Sequence, residues 1–286
     1  MTETIHRHRR TGTVDEARLG AMTERLRRRA RTLGTSGTSF ALALSESRTV
    51  LTARLVVDPL ASGMLTWDAA VTALQFSQGA FAAAGRSGGT VECRVMDEPR
   101  SVTATGPRFY TDATNWLYAF WLAVICRDQA RVTRLCEVPP EVLRTTEVRA
   151  DEYLYDWTDT LRAYGLRQPG LVEKLGRTIR GASLDVPVVA PRNLLRDVLF
   201  PPIALFRQFL REDHDAFNTA LREALHLHRA YWSADEQRAD DFDGVVSFGL
   251  LAVTCLAHDA GFPVDVESEY LPEHLLKGSW VGMYEI

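Results

Sequence analysis

Residues 116–126 leave the fewest choices for how this chain folds. Trp116, Leu117, Phe120, Trp121, Val124 and Ile125 fall on more than one face of a helix. A helix that is apolar nearly all round belongs at the centre of a core, with other elements packed about it. Thr111 or Asp112 can cap this helix, which runs to about Arg127. The 286-residue chain is long enough to enclose it without disulfides or metals.

The neighbours it needs are legible on both sides. Trp67, Ala70, Val71, Leu74 and Phe81 predict a helix over 66–84, with Gly85 as a stop, while 38–57 carries a weak helical or mixed signal. Further helices are expected at 128–136, 151–164 and 170–180. Two more, 191–200 and 202–211, meet at Pro201-Pro202, where a kink or break is expected. In 213–232, Phe217, Leu221, Leu225 and His228 form an i, i+4 row behind an Asp213 cap. Residues 244–260 are apolar nearly all round and end at Gly261. Strand alternation is confined to Val91, Cys93 and Val95, then Val102 and Ala104 after an MDEPR turn. The expected fold is mostly α: a multi-helix antiparallel bundle or solenoid-like array with one small β-hairpin near residues 90–105. No 34-residue repeat supports a tetratricopeptide array.

Charge is uneven. Residues 1–34 hold nine arginines against four acidic residues, a net of +5. Residues 235–286 hold eleven acidic residues against Arg238 and Lys277, a net of −9. The expected division is a basic N-terminal arm or first helix over 1–34, loosely attached, and a single helical domain over 35–286. Arginines 25, 27, 28, 29 and 31 fit either the solvated face of a helix, with Leu19, Met22, Leu26, Ala30 and Leu33 as its buried stripe, or a nucleic-acid contact. No aromatic residue interleaves with them, which argues against single-stranded nucleic acid. Asp235, Glu236, Asp240, Asp241 and Asp243 cluster without the spacing of a calcium loop. Asp243 is a candidate cap for the helix after it.

No phosphate-binding glycine loop or nucleophile elbow is present. The four cysteines lack C-x-x-C spacing and read as reduced packing residues. The enzymatic alternative rests on His214-Asp215 and His258-Asp259, since helical metal-dependent phosphohydrolases gather histidines and aspartates around divalent ions. His228 reads as a satisfied core histidine. The N-terminus lacks an apolar signal region, and the apolar runs 116–126 and 244–257 are short for a membrane span. A soluble cytoplasmic protein is therefore expected, with no membrane partner and no cofactor.

Four stretches carry a resemblance: NWLYAFWLAVICRD at 115–128, DEYLYDWTDTLRAY at 151–164, REDHDAFNTALREALHLHRAYW at 211–232 and LAHDAGFPVDVESEYLPEHLL at 256–276. Over residues 108–276 the chain resembles the immunity 49 family, immunity proteins of bacterial polymorphic toxin systems. The resemblance implies a mostly helical protein that binds and neutralises a cognate toxin, often a nuclease, and it brings no catalytic residues. On that basis the five acids of 235–243 are expected to face the toxin, with Trp232 and Trp280 as candidate anchors. A metal-dependent hydrolase, or a helical scaffold with a nucleic-acid-binding arm, are the alternatives.

Overall fold

A computed structural model describes residues 3–33, 39–144, 149–183, 185–186 and 188–283. The chain enters through β1 (Glu3–Ile5) and α1 (Glu16–Arg31). Asp15 caps α1 by accepting from the Arg18 amide, and Leu19, Met22, Leu26 and Ala30 form its buried stripe. Residues 3–33 are not a loose arm. Ile5 is buried, and β1 pairs in parallel with β4 (Val266–Ser268) near the other end of the chain. The Arg7 guanidinium donates to the carbonyls of Leu55 and Glu269, and Arg29 makes a two-pronged bond to Glu46 at 2.6 and 2.8 Å. Several of the basic side chains thus already have intramolecular partners.

Next come α2 (Ser39–Val57) and α3 (Met64–Ala84). The weak signal over 38–57 has a packing cause: α2 lies against both α1 and α3 and is buried on more than one side. Its buried Ser47 and Thr52 satisfy their hydroxyls by donating to the carbonyls of Leu44 and Arg48. The hairpin of β2 (Thr90–Val95) and β3 (Glu98–Thr103) has a two-residue turn instead of the five-residue MDEPR turn. Met96 and Asp97 both take positive φ, 52° and 63°, a geometry that favours glycine or asparagine. The Gln75 side chain of α3 bonds both the backbone and the carboxylate of Asp97, which holds this turn in place.

The apolar helix is α4 (Ala113–Ile125), capped by Asp112 through the Asn115 amide at 2.8 Å. It packs against α3, α5 (Gln129–Cys136), α7 (Glu152–Gly165) and α13 (Phe248–Asp259), with the short α6 (Pro140–Leu143) between α5 and α7. After α8 (Leu171–Gly181) comes α9 (Arg192–Leu194), which runs into a π-helical segment, Leu195–Leu199. Its Phe200 amide reaches back to the Leu195 carbonyl at 2.8 Å. This is how the chain absorbs Pro201-Pro202: the helix widens by one residue, then α10 (Pro201–Leu210) begins with prolines in its first turn, where their missing N–H groups cost nothing.

Helix α11 (His214–Trp232) starts at the expected Asp213 cap. It is followed by α12 (Glu236–Ala239) and a 3-10 turn, Phe242–Gly244. α13 begins later than expected, with Ser247 at its cap position, so Asp243 does not cap it. The stretch Phe242–Asp259 is long and apolar enough to cross a membrane by length and composition, and 61% of it is buried within the fold. The chain closes with β4 and α14 (Glu273–Leu276). The β1–β4 pair has no sequence signal, because three residues on each side show no usable alternation.

Arg127 fastens the C-terminal elements to the core. It sits at φ 56° just after α4, and its guanidinium donates to the carbonyls of Ile125, Leu275 and Leu276, and to both carboxylate oxygens of Asp259. Its side chain is 14% exposed, so these carbonyls have little water to turn to if it is removed. Arg127→Met is expected to lower stability by about 3 kcal/mol, read as a shift in urea midpoint at constant m-value. A midpoint within experimental error of the parent would show that α14 is held by packing alone.

Candidate partner-binding surface

The acidic cluster lies in the connection from α11 to α13, and its five members have different roles. Asp235 caps α12 by accepting from the Arg238 amide at 2.9 Å and pairs with the same residue's guanidinium at 3.3 Å. Asp240 accepts from the Thr11 and Gly12 amides, at 2.7 and 3.0 Å, and from the Thr11 hydroxyl. Those donors, the Thr11 hydroxyl foremost, hold its carboxyl down at about 2. Asp241 accepts from the Asp243 amide, at 2.9 Å, and so caps the 3-10 turn. Arg10 ties the same stretch down, donating to the carbonyls of Asp240 and Asp241 while lying over the Phe242 ring at 4.5 Å. The basic head and the acidic connection therefore meet within the molecule.

Two acids remain available. Glu236 is exposed and has no ion pair among the described residues. Asp243 is exposed at the surface, yet enclosing protein raises its carboxyl above the usual range, with Asp241 adding to the rise and Arg48 opposing it.

Asp243 stands at the rim of a cleft of about 520 Å3. The cleft lies between α4, α7, the 195–199 segment and the two ends of the α11–α13 connection. Its walls are aromatic: Trp121 against Trp157 with centroids 6.0 Å apart, and Tyr118 edge-on to Phe248 at 5.2 Å. The Arg48 guanidinium lies 3.9 Å from the Tyr118 ring centre. Asp151, also at the cleft, is engaged by the amides of Val189 and Ala190 and so pins the far lip.

Trp232 belongs to the cleft and Trp280 does not. The Trp280 indole donates to the Ala61 carbonyl at 3.0 Å and packs partly buried on the core, so its observed contacts are structural. The Trp232 ring is buried against Gly244, where an added Cβ would lie 2.7 Å from the indole. Only glycine lets the 3-10 turn pass this close. The Trp232 indole N–H has no hydrogen-bond partner among the described residues.

His228, read from sequence as a satisfied core histidine, is satisfied on one side only. Its Nε2 lies 3.1 Å from the Gly244 carbonyl, which can only accept, so Nε2 carries the proton. Nδ1 is then a bare acceptor, buried and without a partner among the described residues. The Tyr153 hydroxyl, on α7, is likewise buried and without a partner among the described residues. Sequence patterning finds such residues as core members but cannot show that a polar atom lacks its mate.

The four residues of the metal alternative do not form a ligand set. His214 packs on Phe262 with ring centroids 4.2 Å apart. Asp215 lies in the first turn of α11, and Asp259 is engaged by Arg127 and by His258 at 3.2 Å. Among the described residues no group of three or more His, Cys, Asp or Glu side chains is arranged to hold a metal ion.

Burial depresses His228 from 6.5 to about 3, so it is neutral in the folded protein at neutral pH. The unfolded chain takes up a proton here below pH 6.5, and the folded chain does not until about pH 3. The associated stability is complete above pH 6.5 and is lost as pH falls between those values. The loss should reach about 2 kcal/mol near pH 5. His228→Gln, which keeps a donor for the Gly244 carbonyl, should show a shallower fall over that window in urea titrations. Equal slopes would place the proton uptake elsewhere.

A family model described as Immunity protein 49 matches residues 58–275, a span that includes α3 through α14 apart from the last residue of α14, and hence the cleft walls and the acidic connection. No curated protein and no solved structure matches the chain. With the match covering most of its length, this chain belongs to the Immunity protein 49 family.

Proposed function

We propose that this chain acts in the bacterial cytoplasm as the immunity partner of a polymorphic toxin, binding the toxin directly and blocking it without catalysis. The observation that carries the reading is the family match over residues 58–275. The surface supports it physically. Glu236 and Asp243 are carboxylates exposed on the α11–α13 connection, Asp243 at an aromatic cleft, on a chain of net charge −4. A toxin that grips phosphate, such as a nuclease, is basic at its working face. Complementary charge speeds encounter with such a face, and an inhibitor that must act before damage accumulates gains from speed.

Only part of the five-acid cluster suits this role. Asp235 and Asp240 are committed to holding α12 and the basic head, and Asp241 caps a turn. Steering then falls to Glu236 and Asp243. Co-expression with the toxin encoded beside this chain's gene is expected to restore growth, and the purified pair should form a complex. Failure of both would end the reading. Given a complex, the Glu236→Gln/Asp243→Asn double variant should associate roughly 5-fold more slowly at low salt, with the difference shrinking near 0.5 M salt. Asp240→Asn should leave the association rate alone and lower thermal stability instead. A double variant as fast as the parent at every salt concentration would move the toxin-facing surface elsewhere.

A further inference from the structure

The cleft is richer in hydrogen-bond donors than the acid at its rim suggests. α13 opens onto it through Ser247, Phe248 and Gly249. Ser247 stands at the cap position, but its side chain does not cap the helix. The amides of Phe248 and Gly249 donate no hydrogen bond among the described residues. The first turn of a helix carries open N–H groups and the positive end of its dipole, and together they favour an anion.

A side-chain donor reaches the same turn. Trp121 is 7% exposed, and its indole Nε1 lies 3.6 Å from where a Cβ on Gly249 would stand. This N–H has no hydrogen-bond partner among the described residues, and unlike the Trp232 N–H it is not sealed within the protein. A buried indole N–H ordinarily finds a partner. Two cations also line the cleft, Arg48 against the Tyr118 ring and the exposed Arg149. Neither has an ion pair among the described residues.

Two carboxylates stand against these donors. Asp151 is taken by the amides of Val189 and Ala190. Asp243 lies with Arg48 and Tyr118 on a rim that the cleft shares with a neighbouring depression, and Arg48 is the cation that acts on it. Arg149 is left to balance one more negative charge, and a dianion would bring a charge with no cation to meet it. The aromatic walls decide what carries that charge. A volume of about 520 Å3 suits a small organic molecule, and a bare ion would leave the ring faces uncovered. The basic face proposed for the toxin would meet guanidinium groups and N–H donors here, so it does not fit this cavity.

We propose that the cleft binds a small organic monocarboxylate with an aromatic or branched aliphatic body. Its carboxylate accepts from the first amides of α13 and from the Trp121 N–H, and its body lies on the aromatic walls. This assignment does not rest on the toxin-binding reading.

The test needs only the purified full chain. Phenylpropionate is the probe, phenylpropanamide its neutral counterpart of the same shape, and inorganic phosphate the anion without a body, each titrated by calorimetry. Phenylpropionate is expected to bind at one site, at least about 10-fold more tightly than the amide, the difference a charge-assisted hydrogen bond makes. Phosphate should bind more weakly than either. Trp121→Phe keeps a ring in the wall and removes the N–H, so it should weaken the carboxylate several-fold and leave the amide unchanged. Arg149→Gln, at an exposed position, should do the same, and it keeps the test decisive if Trp121→Phe does not fold. Val198→Trp replaces a half-buried residue that lines the cleft and should abolish binding of both organic probes. No binding of phenylpropionate, equal affinity for the acid and the amide, or parent-like binding in folded Val198→Trp overturns the assignment. So does a toxin that saturating phenylpropionate displaces and that Arg149→Gln weakens, since the carboxylate would then belong to the toxin.

Discussion

The structure depends on a helix with no face it can show to water. Ten consecutive residues of α4, Trp116–Ile125, are buried, Trp116 and Phe120 completely. Each exposed aromatic or aliphatic side chain there would forfeit about 1.5–3 kcal/mol, so neighbours are needed all round. α3, α5, α7 and α13 supply them. α13 is almost as apolar, and the two pack on each other. A core built on two such helices leaves the polar work to their ends. The structure's most elaborate hydrogen bonding accordingly occurs just past α4, at Arg127, and just before α13, in the acidic connection.

Helices were legible where one face differs from the other, as in α11, or where a cap marks the start, as at Asp112 and Asp213. They were weak where burial on several sides erased the stripe, as in α2, whose buried Ser47 and Thr52 look polar in sequence but bond back to their own helix. The β1–β4 pairing was invisible, since its strands lie at opposite ends of the chain and each supplies three residues. The candidate site was legible in part. Trp232 and the acids stood out by type, and Asp243 and Trp232 do meet at one cleft. Arg48, Tyr118 and Tyr153, which complete it, come from helices distant in sequence, where each reads as an ordinary member of a helix.

The two charge blocks have a further meaning. A basic head and an acidic tail in one chain invite two separate partners. Here the first part of the head meets the tail, while Arg25 and Arg29 pair with Glu46, and Asp235, Asp259, Asp265 and Glu273 pair with Arg238, Arg127, Arg222 and Lys277. Arg10, Thr11 and Gly12 engage Asp240 and the carbonyls beside it, and Arg7 and His8 engage Glu269, Tyr270 and Ala239. These contacts join segments more than 220 residues apart, so they close the longest loops in the chain. Loop-closure entropy rises only slowly with length, and a few charge-assisted hydrogen bonds can offset it. The charge left over after this internal pairing, not the formal total, is what another macromolecule meets.

That distinction also bears on why the cleft persists. Burying a polar atom without a partner costs about 1–3 kcal/mol, and apolar residues of similar size could fill the space around Trp232 and His228. The surrounding packing instead keeps the space and the unpartnered atoms in place. Gly244 lets the 3-10 turn lie against the indole, its carbonyl holds His228 in one tautomer, and Asp151 draws the 189–190 backbone to the opposite lip. The aromatic walls and Asp243 thus meet at the C-terminal end of α11 because the backbone around them is fixed from several sides.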